Sequence, residues 1–441
     1  MHDLRRQALE SGKTVSRKAR SRQSTAPSSK GNSRTASRAT SRNPSDDEEG
    51  NLSDGTAWSS NSIDDILAAA DEVEPPTDAW RAALDDRIEQ IIDRKRSSVQ
   101  GREESLAAYN RILISQYTQE VLHSKMGELA AAFLKSIKSE TSENETILAL
   151  KALALTIITE PTETIFDNIY QPLQRTISDS QSEVTKAAAI HALGIAAFYG
   201  GASLADTEEV MTQLLEIIES DGSSVEAGDS GIVVTAALEE WGFLATQLDD
   251  IEDLTEPAMD AFIEQLESAD LAVQIAAGEN IALLYEKSYT PLEADEEAPS
   301  SSEDEDDSKD ADGEVLVKRY AVYRREDQLK RTLSELSKVS GHHMSKKDRK
   351  SRHVNFSDIL HSVEYPTRGP RYSVALDEDG KHFGSRLVVR IHKTGEMKIN
   401  KWWKLHRLQA LRRVLQGGFV VHYEKNEVVF DSLPIMISQH A

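Results

Sequence analysis

The sequence predicts a mostly α-helical protein: an armadillo/HEAT-like α-solenoid over residues 78–288 and then a small C-terminal α+β domain, with a disordered N-terminal tail and an acidic linker. Three observations carry that expectation. Apolar residues recur at three- and four-residue steps from Trp80 to about Glu286, and nothing there alternates with period two. Four segments of this region superimpose without gaps at intervals of 40, 48 and 40 residues, near the ~40–47 of two- and three-helix repeats. Past residue 384, short β-like runs flank one leucine-striped helix, a mixture foreign to a repeat array.

Residues 1–60 are rich in Ser, Arg, Thr, Ala and Gly, with almost no large apolar residue between Val15 and Leu52. Such a segment buries too little surface to offset its ordering entropy, so a disordered tail is expected. Arg22 with Ser24, Arg34 with Ser37 and Arg38 with Ser41 suit basophilic kinases; the simpler reading is a solvated tail.

The helical region starts with Ala82, Leu84, Ile88, Ile91 and Ile92 on one face, and Leu106, Tyr109, Ile112, Leu113 and Tyr117 follow on the next helix. Polar turns at residues 139–144, 221–230 and 267–270 punctuate what comes after. The repeat occupies residues 146–156, 186–196, 234–244 and 274–284. Ala149, Ala189, Ala237 and Ala277 align, as do Leu153, Leu193, Trp241 and Ile281, and then Ala154, Gly194, Gly242 and Ala282. Small residues let neighbouring helices approach and the large ones fill the seam. A generic helical bundle is the competing reading. A solenoid offers an extended surface and no natural catalytic cleft, which favours binding.

Between residues 289 and 314, twelve Asp/Glu stand against Lys309, so self-repulsion predicts a flexible linker. Within 315–345, a basic helix is expected over 320–339, striped by Val322, Leu329, Leu333 and Leu336. In the block 346–434, strands are expected at 385–391 and 397–401 around the turn Lys393-Thr394-Gly395. A helix over 401–416 carries Trp402, Leu405, Leu408, Leu411 and Leu415, with Gly417-Gly418 as its stop. A second hairpin, 419–423 with 428–430, completes a β-β-α-β-β order.

Charge follows the same divisions. The net −24 conceals +9 over residues 1–45, −45 over 46–314, +14 over 315–413 and −2 over 414–441. A chain this polarised suits partners of both signs. The absence of Cys excludes disulfides, cysteine–zinc sites and a thiol nucleophile, and fits a reducing compartment. No secretory signal or membrane-length apolar run is present, so a cytoplasmic or nuclear protein is expected. Ser11-Gly12-Lys13-Thr14 echoes a phosphate-binding loop, but Gln7 stands where its first glycine belongs. His342, His343, His353 and His361 sit in a polar Lys/Ser context and read as surface residues. No catalytic residue, metal site, cofactor or small-molecule substrate is expected.

The candidate RNA-binding residues are cationic. Lys346, Lys347, Arg349, Lys350 and Arg352 form one cluster, and Lys401, Lys404, Arg407, Arg412 and Arg413 cover the C-terminal helix. Neutralising phosphates with such residues releases counterions. Trp402, Trp403, His406 and Tyr423 are rings that unpaired bases can stack on, Trp403 being the one off the leucine stripe. The first cluster reads equally well as a nuclear localisation signal. The acidic solenoid repels nucleic acid, so its expected partner is protein, basic in character, or the chain's own basic ends.

Four stretches resemble a known family: Arg94-Lys95-Arg96-Ser97-Ser98 with Arg102-Glu103, Ser182-Glu183-Val184 through Ala192-Leu193-Gly194, Ala236 through Leu244, and Ala276 through Leu284. Lys346-Lys347-Asp348-Arg349-Lys350, Phe356 through Leu360, Ser362-Val363-Glu364, Leu411 through Gly418, His422 and Asn426-Glu427 extend the resemblance over about residues 80–432. They resemble the interferon-related developmental regulators. The resemblance implies a non-enzymatic regulator that binds translationally inactive ribosomes, or alternatively a nuclear co-regulator that scaffolds a deacetylase-type corepressor. The sequence to Ala441 departs from animal members in showing no long Lys/Arg-rich extension, so ribosome engagement that relies on such an extension is not an expectation the resemblance supports here.

Overall fold

The computed structural model describes residues 79–94, 97–292, 315–338, 345–372, 374–376, 382–392 and 395–434. The expected tail of residues 1–60, most of the acidic linker, and His342 and His343 lie outside the described residues. Helices come in pairs: α1 (Ala79–Ile92) with α2 (Val99–Ser115), then, past the short α3 (Gln119–Leu122), α4 (Met126–Ser139) with α5 (Glu143–Thr159). The pairs α6 (Ile165–Asp179) with α7 (Glu183–Tyr199), α8 (Leu204–Glu219) with α9 (Gly231–Ala245), and α10 (Glu252–Gln265) with α11 (Leu271–Lys287) follow. The second helix of each pair packs on the second helix of the next, forming an inner layer α2–α5–α7–α9–α11. All four aligned segments fall in that layer. Its helices α5, α7, α9 and α11 are apolar almost all round because they are covered on nearly every side, whereas α2, at the start of the layer, buries a single stripe. The outer helices bury one stripe, as Ile165, Phe166, Ile169, Leu173 and Ile177 do on α6.

The same local chemistry recurs from pair to pair. Ser98, Ser142, Ser182 and Asp270 cap inner helices by accepting backbone N–H groups. Ser142 Oγ also donates to Glu103 (2.5 Å), Ser182 Oγ to Glu143 (2.6 Å) and Ser230 Oγ to Glu183 (2.8 Å), so each cap is tied to the first turn of the preceding inner helix. Lys186 Nζ donates to the carbonyls of Ile177, Ser178 and Val225 at 2.7–2.8 Å. Gln274, at the equivalent position two repeats on, donates to the carbonyls of Leu266 and Ser268. These buried donors satisfy carbonyls at the ends of outer helices α6 and α10 and, through Val225, in the turn before α9. Arg94 and Arg102 converge on buried Glu145 at 2.6 and 2.7 Å, joining the first two pairs.

The solenoid continues past the acidic segment. Strand β1 (Tyr289–Pro291) pairs antiparallel with β2 (Leu316–Lys318), Tyr289 opposite Lys318, so residues 292 and 315 leave and return side by side. Helix α12 (Glu326–Lys338) starts six residues later than its apolar stripe predicts. It pairs with α13 (Lys346–Glu364), and α13 stacks on α11, with Phe356 and Ile359 against Gly278. The expected basic helix and the start of the expected C-terminal domain are thus the two halves of a sixth pair.

Two short antiparallel hairpins follow: β3 (Val374–Leu376) with β4 (His382–Ser385), which the sequence did not suggest, and β5 (Val388–His392) with β6 (Gly395–Lys398). Helix α14 (Trp402–Leu415) matches its leucine stripe. The hairpin expected at 419–430 is absent. Those residues form helices α15 (Phe419–Lys425) and α16 (Glu427–Ser432). Phe419, His422 and Tyr423 are buried at helical spacing, and Asn426, read as a turn residue, caps α16 by accepting from Val428 N (3.1 Å). Among the described residues no helix is long and apolar enough to cross a membrane.

Candidate functional site

Two residues beyond each aligned alanine, the inner layer carries Lys151, His191, Glu239 and Glu279; three beyond stand Ala152, Ala192, Glu240 and Asn280. These polar side chains line the face on which α14 lies. Helix α14 packs on α11, α9 and α5, crossing the inner layer back towards the start of the chain. Residues 416–418 then reach α2.

Carboxylates of the inner layer hold α14. Glu286 accepts the backbone N–H of Trp402 (2.6 Å) and of Trp403 (3.0 Å), two orphan donors of the helix's first turn. Burial raises the Glu286 carboxyl, with these two bonds pulling it back down. Glu279 takes Gln409 Nε2 at 3.1 Å and is ion-paired with Arg386, which also lies 3.5 Å from buried Asp358. Further along, Arg413 is ion-paired with Glu239, and its Nη2 lies 3.0 Å from Glu240. His191 Nδ1 is 2.8 Å from the same Glu240 carboxyl. Burial pushes Glu240 up to about 7 against the pull of Arg413. Burial and then Arg413 push His191 down to about 3. His191 is therefore neutral at pH 7.

The helices after α14 fasten to the far ends of the same layer. His422 Nε2 donates to Leu113 O (2.7 Å), Asn426 Nδ2 donates to Ile158 O (2.9 Å), and the Tyr199 and Ser432 hydroxyls are 2.8 Å apart.

This arrangement sorts the cationic candidates. Arg413 is 3% exposed and paired as above. Arg407 donates to Thr246 O (2.8 Å), Thr246 Oγ1 (2.9 Å) and Ser432 O (3.2 Å), with Phe198 and Trp403 on its flanks. Arg352 is buried and donates to Gln274 Oε1 at 2.7 Å. Lys404 donates to Asn400 and lies over Trp403, which thus carries a cation from each of Lys404 and Arg407. Lys401 and Arg412 are half-buried on α14. Lys346 and Arg349 are exposed, and Lys347 and Lys350 half-buried, in the first turns of α13. Arg324, Arg325, Arg331 and Lys338, on and before α12, are exposed as well, Lys338 standing next to Ser337, whose carbonyl is 3.2 Å from His353 Nδ1 of α13. Residues 318–353 hold twelve Lys/Arg against four acids. Of the rings expected to stack on bases, Trp402, His406 and Tyr423 are buried.

Sequence reasoning missed Glu240, Glu279, Glu286 and Arg386. A signal existed. A Cβ on Gly194 would collide with the Glu240 carboxyl, and one on Gly242 with Asn280 and His406. The glycines mark where a polar side chain from the next repeat, at a position that is alanine elsewhere, lies across the helix. Among the described residues no group of His, Asp or Glu could hold a metal ion.

A family model described as interferon-related developmental regulator matches residues 51–364, reaching the last residue of α13. An uncharacterized protein of Schizosaccharomyces pombe is 26% identical over 352 residues, 79% of this chain and 73% of its own length. The protein named interferon-related developmental regulator 2 of Mus musculus is 24% identical over 359 residues, 78% of this chain and 70% of its own.

Proposed function

Because the chain belongs to the interferon-related developmental regulator family, we propose that it is a non-enzymatic regulator of translation, engaging ribosomes or other ribonucleoprotein through its basic C-terminal region and proteins through its helical repeats. The observation that carries this reading is the set of cations at the solvent side of the sixth helix pair, above all Lys346 and Arg349. Phosphate-rich surfaces draw such clusters, with binding that falls steeply with salt. The acidic outer helices α8 and α10 suit protein partners instead. Such a role belongs in the cytoplasm or nucleus.

A sucrose-gradient profile of the tagged full chain tests it. Co-sedimentation with ribosomal particles that falls with salt, and that is lost when Lys346, Lys347, Arg349 and Lys350 become Gln, is the expected result. Arg352 stays unchanged because it is built into the fold. A profile indifferent to ribosomes, with the chain recovered on chromatin or with a deacetylase, overturns the reading.

A further inference from the structure

We infer that the first turns of α13, with the neighbouring turns of α12, form a docking face for the phosphate backbone of folded, double-helical RNA, read without base stacking. This rests on the ribonucleoprotein reading above and names the ligand chemistry of that same surface.

The placement of cations is the first argument. Lys346 and Arg349 are exposed and three residues apart, so they share one side of α13, beyond the level at which His353 Nδ1 meets the Ser337 carbonyl of α12 at 3.2 Å. The side carrying Arg352, Phe356 and Ile359 is turned instead to α11. A rigid helix presenting Lys346, Lys347, Arg349 and Lys350 within little more than one turn, about 6 Å of rise, suits a backbone whose phosphates are held at fixed spacing. A single strand must be ordered to match it.

The placement of rings is the second. Recognition of single-stranded RNA relies on aromatic side chains onto which splayed bases stack. The sequence from Lys346 to His353 contains no Phe, Tyr or Trp. Trp402 and Tyr423 are buried, and Trp403 already has Arg407 at 4.9 Å and Lys404 at 5.5 Å from its ring. Tyr365, exposed beyond the other end of α13, carries Arg368 over its ring at 4.8 Å. What the face offers is charge and shape, the terms that recognise double-stranded RNA.

The test uses the full chain with three fluorescent probes: a blunt 16-base-pair RNA duplex in two unrelated sequences, single-stranded oligo-U of equal phosphate number, and an Asp/Glu-rich peptide. The duplexes should bind alike and at least ~5-fold tighter than oligo-U. With about four phosphates neutralised, duplex affinity should drop ~10²-fold between 50 and 200 mM salt. Lys346→Glu with Arg349→Glu should weaken duplex binding at least ~10-fold, while Trp403→Ala changes it less than ~2-fold, thermal melting confirming that both variants fold. Oligo-U binding as tight as duplex, or loss on Trp403→Ala with the charge variant unaffected, overturns this inference. Ribosome co-sedimentation would then still stand by itself. Preference for the acidic peptide with no RNA bound overturns both readings.

Discussion

The Arg413 guanidinium of α14 lies 3.0 Å from the Glu240 carboxyl of α9, and neither side chain is open to solvent. The pair joins the chain's last long helix to its fourth repeat, a charge contact in place of the apolar contacts around it. Removing one member of a buried pair leaves the other unpaired in a low-dielectric site, which costs about 3–5 kcal/mol. Arg413→Met should therefore lower unfolding stability by that order in urea titration at pH 7.5. Adding Glu240→Gln to it should restore a large part. No rescue by the second change would mean that Arg413 acts through its other partner, Glu239.

The same carboxyl should give stability an unusual pH dependence. Its folded value, about 7, lies above the ordinary carboxyl value of 4.5, so folding favours the protonated form. Its contribution is complete below pH 4.5 and is lost as pH rises through 7, a change on the order of 3 kcal/mol. His191 acts in the opposite sense. Its folded value, about 3, lies below 6.5, so its contribution is complete above pH 6.5 and is lost as pH falls towards 3. Glu240→Gln isolates the first effect. Compared with the parent chain, the variant should gain stability between pH 5 and pH 8; a difference flat with pH would refute the assignment.

Two glycines should respond oppositely to the same substitution. Gly194→Ala drives a methyl into the Glu240 carboxyl and should destabilise by roughly 1–3 kcal/mol, the usual cost of overpacking. Gly127 in α4 has nothing within 4 Å of its missing Cβ, so Gly127→Ala should stabilise by roughly 0.5–1 kcal/mol through helix propensity. Differential scanning of the two variants beside the parent reads both signs.

Lys186 offers a test of the repeat architecture itself. Its ammonium is the shared donor for three carbonyls from two neighbouring turns, and burial lowers its pKa. Lys186→Met keeps the aliphatic stem and removes the donor, leaving those acceptors to find other partners. A loss of roughly 2–4 kcal/mol is expected, read as an earlier urea midpoint. Lys186→Gln, which imitates Gln274 two repeats on, should recover part of it.

How much of this was legible follows from what periodicity encodes. The aligned alanines and the Leu153, Leu193, Trp241, Ile281 series repeat because each faces the same neighbour in successive pairs, so the inner layer could be read directly. The stripe on α14 was equally plain. It says that a face is buried, but not that α5, α9 and α11 bury it. Val420, Val421, Val428 and Val429 suggested strands by local preference, and tertiary burial of Phe419, His422 and Tyr423 overrode it. Charge was least legible. Arg407 and Arg413 look in sequence like Lys346 and Arg349, and only the fold separates those bonded inside from those facing water.

The bonds from His422 to Leu113, Asn426 to Ile158 and Tyr199 to Ser432 close loops of 309, 268 and 233 residues. Each helix pair can form as soon as it leaves the ribosome, but these closures wait for the last residues of the chain. At ~5–20 residues per second, the carbonyl of Leu113 waits roughly 15–60 s for its donor. Through that interval the nascent inner layer has its carboxylates and apolar seams uncovered. Once the end arrives, the array no longer frays repeat by repeat as an open solenoid does. Its first three pairs are fastened by one segment, and they should unfold together.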